Sequence, residues 1–217
     1  MSEAWIIDAC RSPRGIGKQG KGALAGMHPQ HVAASVLKAI ASRNQLDTAE
    51  VDDIIWGTSA QVGAQSGDLA RMAALDAGYD LRASGVTLDR FCGSGITSVN
   101  LAAGMVMSGM EDLLIAGGTE MMSMPARRLG DGPPMMDSGN LRLRDSHPQS
   151  HQGVCADAIA TMEKISRQAL DALAVERVDF SHLLGLRREG RSQFCGHVCR
   201  HEVVVSLVPV HVHEARE

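Results

Sequence analysis

Residues 85–120 constrain the fold more than any other stretch of the chain. Val86–Leu88 reads as a short strand. Ile96, Val99, Ala103, Val106 and Met110 then recur at steps of three and four, which predicts a helix with one apolar stripe. Ala102, Ala103 and Gly104 are small enough to let that helix approach a neighbour closely. Residues 113–116 are a short, wholly apolar run, as expected of a buried strand. Between the first strand and the helix lies Phe91-Cys92-Gly93-Ser94-Gly95. Gly93 and Gly95 are expected to let the chain turn tightly beside the thiol, and Ser94 to cap the helix. A thiol just before a helix N-terminus meets a dipole and free amides that favour the reactive thiolate. The same amides could hold a developing oxyanion. A buried cysteine that only fills space has the same spacing, so position alone leaves both readings open.

The rest of the N-terminal part alternates strand and helix with short loops, the signature of a layered α/β domain. Residues 4–8 read as an apolar strand. Gly15-Ile-Gly-Lys-Gln-Gly20 matches a dinucleotide fingerprint literally, but no helical pattern follows until Pro29, so a basic surface loop is the better reading. Pro29 suits a first helical turn, with Val32, Val36, Leu37 and Ile40 as its apolar face and an end near Asn44. Asp47-Thr-Ala-Glu50 reads as a capped short turn, and residues 53–56 as a strand. After a Gly/Ser/Gln loop, Leu69, Met72 and Ala73 begin a second helix that Gly78 closes.

Residues 121–150 carry adjacent prolines, several glycines, a group of methionines and Arg127, Arg128, Arg142 and Arg144. A loop of this length is functional, an interface or a linker. Residues 154–175 turn helical again, with Ala158, Ile159, Met162 and Ile165 on one face, followed by Leu170 and Leu173. His147 and His151 precede them as surface-loop histidines.

The net charge of −4 and sequence pI near 6.1 leave no basic footprint for nucleic acid, and 3% aromatic residues offer few stacking platforms. Cys10, Cys92, Cys155, Cys195 and Cys199 are odd in number and lack a framework spacing, which fits a reducing compartment. No signal peptide is read at the N-terminus and no apolar run is expected to reach membrane-spanning length. A cytoplasmic protein with no nucleic-acid or membrane partner is expected.

The run Leu88-Asp-Arg-Phe-Cys-Gly-Ser-Gly-Ile-Thr-Ser-Val-Asn100, together with Ile115-Ala-Gly-Gly-Thr-Glu-Met-Met-Ser123, resembles the N-terminal half of a thiolase. That family carries a Cys, a small residue and Ser-Gly, then Gly-Gly-x-Glu-x-Met-Ser one helix and one strand later. Ile6-Ile-Asp-Ala-Cys-Arg-Ser-Pro-Arg14, Val51-Asp-Asp-Ile-Ile-Trp-Gly57 and Ala70-Arg-Met-Ala-Ala74 are similar to the family as well. The resemblance implies a layered α-β-α core domain over 1–120, the start of a loop domain with subunit contacts over 121–175, and an atypical tail over 176–217. It implies acyl transfer by Claisen exchange between CoA thioesters through an acyl-cysteine at Cys92. Acyl-CoA and CoA would be substrates, with no cofactor and no metal, and the chain would be a homo-oligomer through its core domain.

The family's base lies in Gly-His-Pro-x-Gly and its second cysteine in Cys-x-Gly-Gly-Gly, and neither motif occurs in this sequence. The chain is therefore expected to be truncated before the second core domain and incomplete as an isolated enzyme. A non-catalytic fragment or interaction subunit is the competing class, and a ketoacyl synthase relative the competing enzyme. From residue 176 the resemblance fades. Cys195-Gly-His-Val-Cys-Arg-His201 looks superficially like a metal cluster, but a convincing second ligand pair is missing even with His211 and His213. A shifted reading frame or rearranged end would account for such a tail, although residues 206–210 are similar to a later strand of the family.

Overall fold

The alternation read from the sequence becomes a five-stranded mixed sheet with helices on both faces. The structure is a computed structural model describing residues 3–59, 61–123, 137–183 and 203–211. The strands are β1 (Trp5–Ile6), β2 (Asp53–Gly57), β3 (Val86–Leu88), β4 (Leu113–Glu120) and β5 (Val203–His211). The helices are α1 (Pro29–Asn44), α2 (Leu69–Ala77), α3 (Ser94–Ser108), α4 (Leu141–Ser146), α5 (Gln152–Met162) and α6 (Arg167–Leu183). One compact unit comprises residues 1–127 with 200–217, and a second comprises 128–199.

In the first unit the sheet order is β1-β5-β4-β2-β3. β3, β2 and β4 are parallel, so Gly57, Leu88 and Glu120 all end at one edge of the sheet. Each crossover between these strands carries a helix, as parallel pairing requires. Side chains alternate across the strands. Ile54, Trp56 and Ile115 join Val32, Leu37, Ile40, Leu69 and Ala73 of α1 and α2 in the larger core. Ile55, Leu114 and Ala116 point the other way, onto Ala102 and Val106 of α3. Full burial of one large apolar side chain contributes roughly 1.5–3 kcal/mol. Trp56 also donates its indole N–H to Thr119 Oγ1 at 2.9 Å, so its one polar group is paired inside the core. Tyr79 donates its hydroxyl to the Leu37 carbonyl at 2.9 Å, and burial pushes its ionisation up.

Helix ends follow local chemistry. Pro29 opens α1, and the His28 ring accepts from the Gln30 amide. Asp47 caps a short 3-10 turn at Thr48–Glu50. Gly78 and Gly109 close α2 and α3 in left-handed conformations. Residues 16–27 form a succession of turns, with no helix behind the Gly-x-Gly-x-x-Gly run.

Three expectations change. β1 is shorter than residues 4–8, and Trp5, Ile6 and Ile7 are exposed. The buried face of α3 is Ser94, Ser98, Ala102 and Val106, while Ile96 and Met110 of the expected apolar stripe are 71% and 68% exposed. The expected face failed because Ser98 is buried with its hydrogen bonds made, to the Gly95 and Gly117 carbonyls at 2.7 and 3.0 Å. The third concerns membrane-spanning length: Phe91–Ser108, with mean hydropathy 1.2, is long and apolar enough by length and composition. In the fold this stretch contains α3, which packs on β2 and β4.

Val203–His211, in the tail, forms a strand antiparallel to both β4 and β1. Its register on β4 shifts between Ile115 and Gly117, beside Pro209, which has no N–H to give the ladder. Cys195, His197, Cys199, His201 and His213 lie outside the described residues. Among the described residues, no group of three or more His, Cys, Asp or Glu could hold a metal.

In the second unit, Asn140 caps α4 and His151 caps α5. Arg144 donates to Asp137 through Nε at 2.6 Å and through a terminal nitrogen at 2.7 Å, forming a two-pronged clasp. Ile159, Met162, Leu170 and Leu173 of the predicted helical face are exposed.

Candidate active site

Ligands of open α/β sheets bind beyond the C-terminal ends of the parallel strands. Here that edge holds a cavity of about 660 Å³. It is built from Gly57–Ser59 after β2, Phe91 and Cys92 after β3, Gly118–Glu120 at the end of β4, and the first turns of α3. Cys92 is exposed and free at this cavity.

The turn that presents the thiol departs from the expected glycine mechanism. Gly93 is the residue before α3 and has φ −92°, ψ 2°, which any residue tolerates. Gly95 is helical, and an added Cβ there would meet nothing within 4 Å. The left-handed residue is Phe91, with φ 47°. A non-glycine residue holds that conformation only where its surroundings over-determine it. Asp89 Oδ1 accepts from the Phe91 amide at 2.7 Å, and the Ser94 amide donates to the Phe91 carbonyl at 3.1 Å. Ser94 is the first residue of the helix rather than its cap. Its hydroxyl oxygen accepts from the Arg90 amide at 2.8 Å and lies 2.7 Å from the Phe91 carbonyl and 3.2 Å from that of Thr58. One side chain thus fixes the turn from both sides of Cys92.

Two other glycines allow the helix start to sit on the sheet. A Cβ at Gly57 would lie 2.8 Å from Ser94 C and O, and one at Gly118 only 2.6 Å from the Gly57 carbonyl oxygen. Gly57 and Gly118 are paired neighbours on β2 and β4. Sequence reasoning missed this pair, because its role depends on strand order. The signal present was a glycine ending the first strand and a Gly-Gly pair directly after the apolar run of the second.

Part of the cavity wall is polar. The Glu120 carboxylate accepts from the Ser59 amide at 2.6 Å, the Ser59 hydroxyl, Thr58 Oγ1 at 3.3 Å and Gln65 Nε2 at 3.1 Å. Gln65 is buried, and its Oε1 accepts from the Met121 amide. Phe91, Ile96, Val99 and Met122 supply apolar lining. The amides of Gly95 and Ile96, in the first turn of α3, meet no acceptor among the described residues, as expected of helix N-termini. This set of groups can hold an anion beside a thiol. Proton transfer is another matter, because among the described residues no histidine lines the cavity. His28 and His151 cap helices and His31 faces Asp76 at 3.2 Å. Cys10 is half-buried against the Val36 carbonyl, and Cys155 is exposed on α5.

A family model described as the thiolase N-terminal domain matches residues 4–181. A steroid 3-ketoacyl-CoA thiolase of Mycobacterium tuberculosis is 43% identical over 114 residues, covering 52% of this chain and 27% of that protein. A beta-ketoadipyl-CoA thiolase of Escherichia coli is 44% identical over 115 residues, or 52% and 28% of the two chains. A 3-ketoacyl-CoA thiolase of Shewanella loihica is 39% identical over 113 residues, or 52% and 29%. The matched part thus spans little more than a quarter of each relative.

Proposed function

This chain belongs to the thiolase family through its N-terminal domain, and we propose that Cys92 is the acyl-accepting nucleophile of a Claisen exchange between CoA thioesters. The observation that carries the reading is the free, exposed Cys92 at the mouth of the strand-end cavity, just before the N-terminus of α3. The Cys92 thiolate attacks the thioester carbonyl, and negative charge moves to the carbonyl oxygen. The first-turn amides of α3 are donors suited to hold such charge. The C–S bond to CoA then breaks, the CoA thiolate leaves and takes a proton, and an acyl-cysteine remains. In the synthetic direction an acetyl-CoA carbanion attacks that acyl group and releases Cys92 thiolate. In the degradative direction the thiolate instead attacks the 3-keto carbon of a 3-ketoacyl-CoA. The bond between carbons 2 and 3 breaks, acetyl-CoA leaves as its carbanion and takes a proton, and CoA thiolate then carries the acyl group off Cys92.

Both halves need a positioned proton donor or acceptor; among the described residues the cavity is lined by no histidine, and its one carboxylate, Glu120, is engaged by Thr58, Ser59 and Gln65. The chain is read as the nucleophile-bearing part of a thiolase, with 3-ketoacyl-CoA thioesters as the substrate class its relatives' names suggest. It acts in the cytoplasm without a cofactor, and self-associates through its core domain. A purely non-catalytic role is the alternative, favoured by a cavity lining that holds no histidine among the described residues. Intact-protein mass spectrometry after incubation with acetoacetyl-CoA decides between them. An acetyl adduct on Cys92, lost in Cys92→Ala, supports the nucleophile; no adduct after prolonged incubation refutes it.

A further inference from the structure

We propose that Glu120 and Ser94 are positioning residues for Cys92, linked through the Thr58–Ser59 segment. Glu120 closes β4, on the far side of β2 from the thiol turn, and among the described residues its carboxylate bonds only to Thr58, Ser59 and Gln65, not to the turn itself. It does fix Thr58 and Ser59 with three bonds, and Gln65 joins the same group through Thr58 Oγ1 at 3.2 Å. Thr58 in turn holds the two ends of the thiol turn. Its amide donates to the Leu88 carbonyl at the end of β3 at 3.0 Å. Its carbonyl faces Ser94 Oγ at the start of α3. Ser94 then accepts from the Arg90 amide. Leu88 and Ser94 bracket Cys92, so a hydrogen-bonded path runs from the Glu120 carboxylate to both sides of the nucleophile. The left-handed Phe91 needs such bracing, because a bulky side chain there has an easier conformation to relax into. A carboxylate suits the position because every group it faces is a donor. A glutamine would set an NH₂ against at least one of those donors.

The inference rests on Cys92 being the nucleophile, but its test uses iodoacetamide rather than a thioester, so the two can fail separately. In the full chain, alkylation of Cys92 is measured relative to exposed Cys155, while half-buried Cys10 reports any opening of the fold. Amide exchange of Arg90 is followed by NMR as a signature that a merely structural change around residue 120 would leave alone. Glu120→Gln is expected to slow Cys92 relative to Cys155 by about tenfold, by analogy with outer-shell partners that orient a reactive group. It should also speed Arg90 exchange, with Cys10 still protected. Ser94→Ala, which removes a single hydroxyl, is expected to do the same. If Glu120→Gln lets Cys10 react, the Ser94→Ala result decides. Cys92 alkylation within twofold of the parent in Ser94→Ala, or unchanged Arg90 exchange in a folded Glu120→Gln, overturns the proposal.

Discussion

Gly57→Ala tests whether close approach of α3 to the sheet positions the thiol. The new methyl would lie 2.8 Å from two backbone atoms of Ser94 and 2.9 Å from its Cβ, where ordinary contact begins near 3.4 Å. Relief requires about 0.6 Å of movement, and backbone atoms at a helix start cannot swing aside as a side chain can. Overpacking of this kind typically costs roughly 1–3 kcal/mol. Against that, alanine narrows the unfolded ensemble by about 0.4–1 kcal/mol relative to glycine. A net loss of about 1–2 kcal/mol is expected from urea unfolding. Because Ser94 is two residues from Cys92, displacement of the helix start should also slow Cys92 alkylation severalfold. Gly104→Ala is the control: it lies in the same helix, with nothing within 4 Å of the added Cβ. It should stabilise by about 0.5–1 kcal/mol, the helix-propensity difference. If Gly57→Ala matches the parent in both stability and Cys92 reactivity, close packing does not position the thiol.

Further expectations concern charge, surface and turnover. Hydrogen bonds from Arg144, then from the Gly139 amide, hold Asp137 down to about 2 against an ordinary 3.8. Its folded value is depressed, so its stabilising contribution is present above pH 3.8 and is lost as pH falls towards 2. An NMR titration should show this in the parent, and Asp137→Asn should remove that acid-side dependence of the α4 region. Glu111 is pushed up by desolvation, then by the charges of Asp52, Asp53 and Asp112. Glu111→Gln should raise the melting temperature slightly at pH 7, less so in high salt, since the group is largely solvated. Sedimentation should find the chain self-associated, because Ile96, Leu101 and Met107 of α3, with Met110 just beyond its end, leave an apolar surface exposed; a monodisperse monomer would count against this. Incubation with acetoacetyl-CoA and CoA should acylate Cys92 without enzymatic turnover, since a positioned acid or base typically contributes ~10²–10⁴-fold.

The elements most legible in the sequence are those set by local chemistry. Pro29, Asp47 and Gly78 mark helix and turn ends because capping involves neighbours within a few residues. The apolar run at 113–116 marks β4 for the same reason, although the strand continues through Gly117 and Gly118 to Glu120. Less legible is whatever depends on which strands lie side by side. Gly93 and Gly95, next to the cysteine, invite a conformational role, yet the strain sits at Phe91 and the steric requirement at Gly57 and Gly118. Glu120 and Ser59 are 61 positions apart, and no periodicity joins them. The strand at Val203–His211 had a local signal in its β-branched run, offset by Pro209, which argues against a central strand.

Helix α3 explains why the same misreading also points to the site. Its apolar stripe is real in the sequence, but of that stripe the sheet fully buries only Val106 and otherwise takes Ser94, Ser98 and Ala102. Ser94, Ser98 and Ala102 are small, and the serine hydroxyls are satisfied by carbonyls of the turn, of the helix and of β4. A face of small residues brings a helix axis nearer a sheet than a face of Leu or Met can. That closeness in turn requires glycine at residue 57, where any larger residue would strike the first turn. With the helix start held against the strand ends, the short link from Leu88 to Ser94 is forced into a tight turn. Phe91 takes the left-handed conformation, and Cys92 is presented at the cavity rather than buried. The larger apolar residues then face outward, Ile96 among them at the cavity edge. Exposure of the thiol and exposure of the apolar stripe are therefore two consequences of one packing choice. A substitution that enlarges the inner face, such as Ser98→Leu, should push α3 outward and disturb both together. Loss of Cys92 reactivity without any change in self-association would separate them and refute the link.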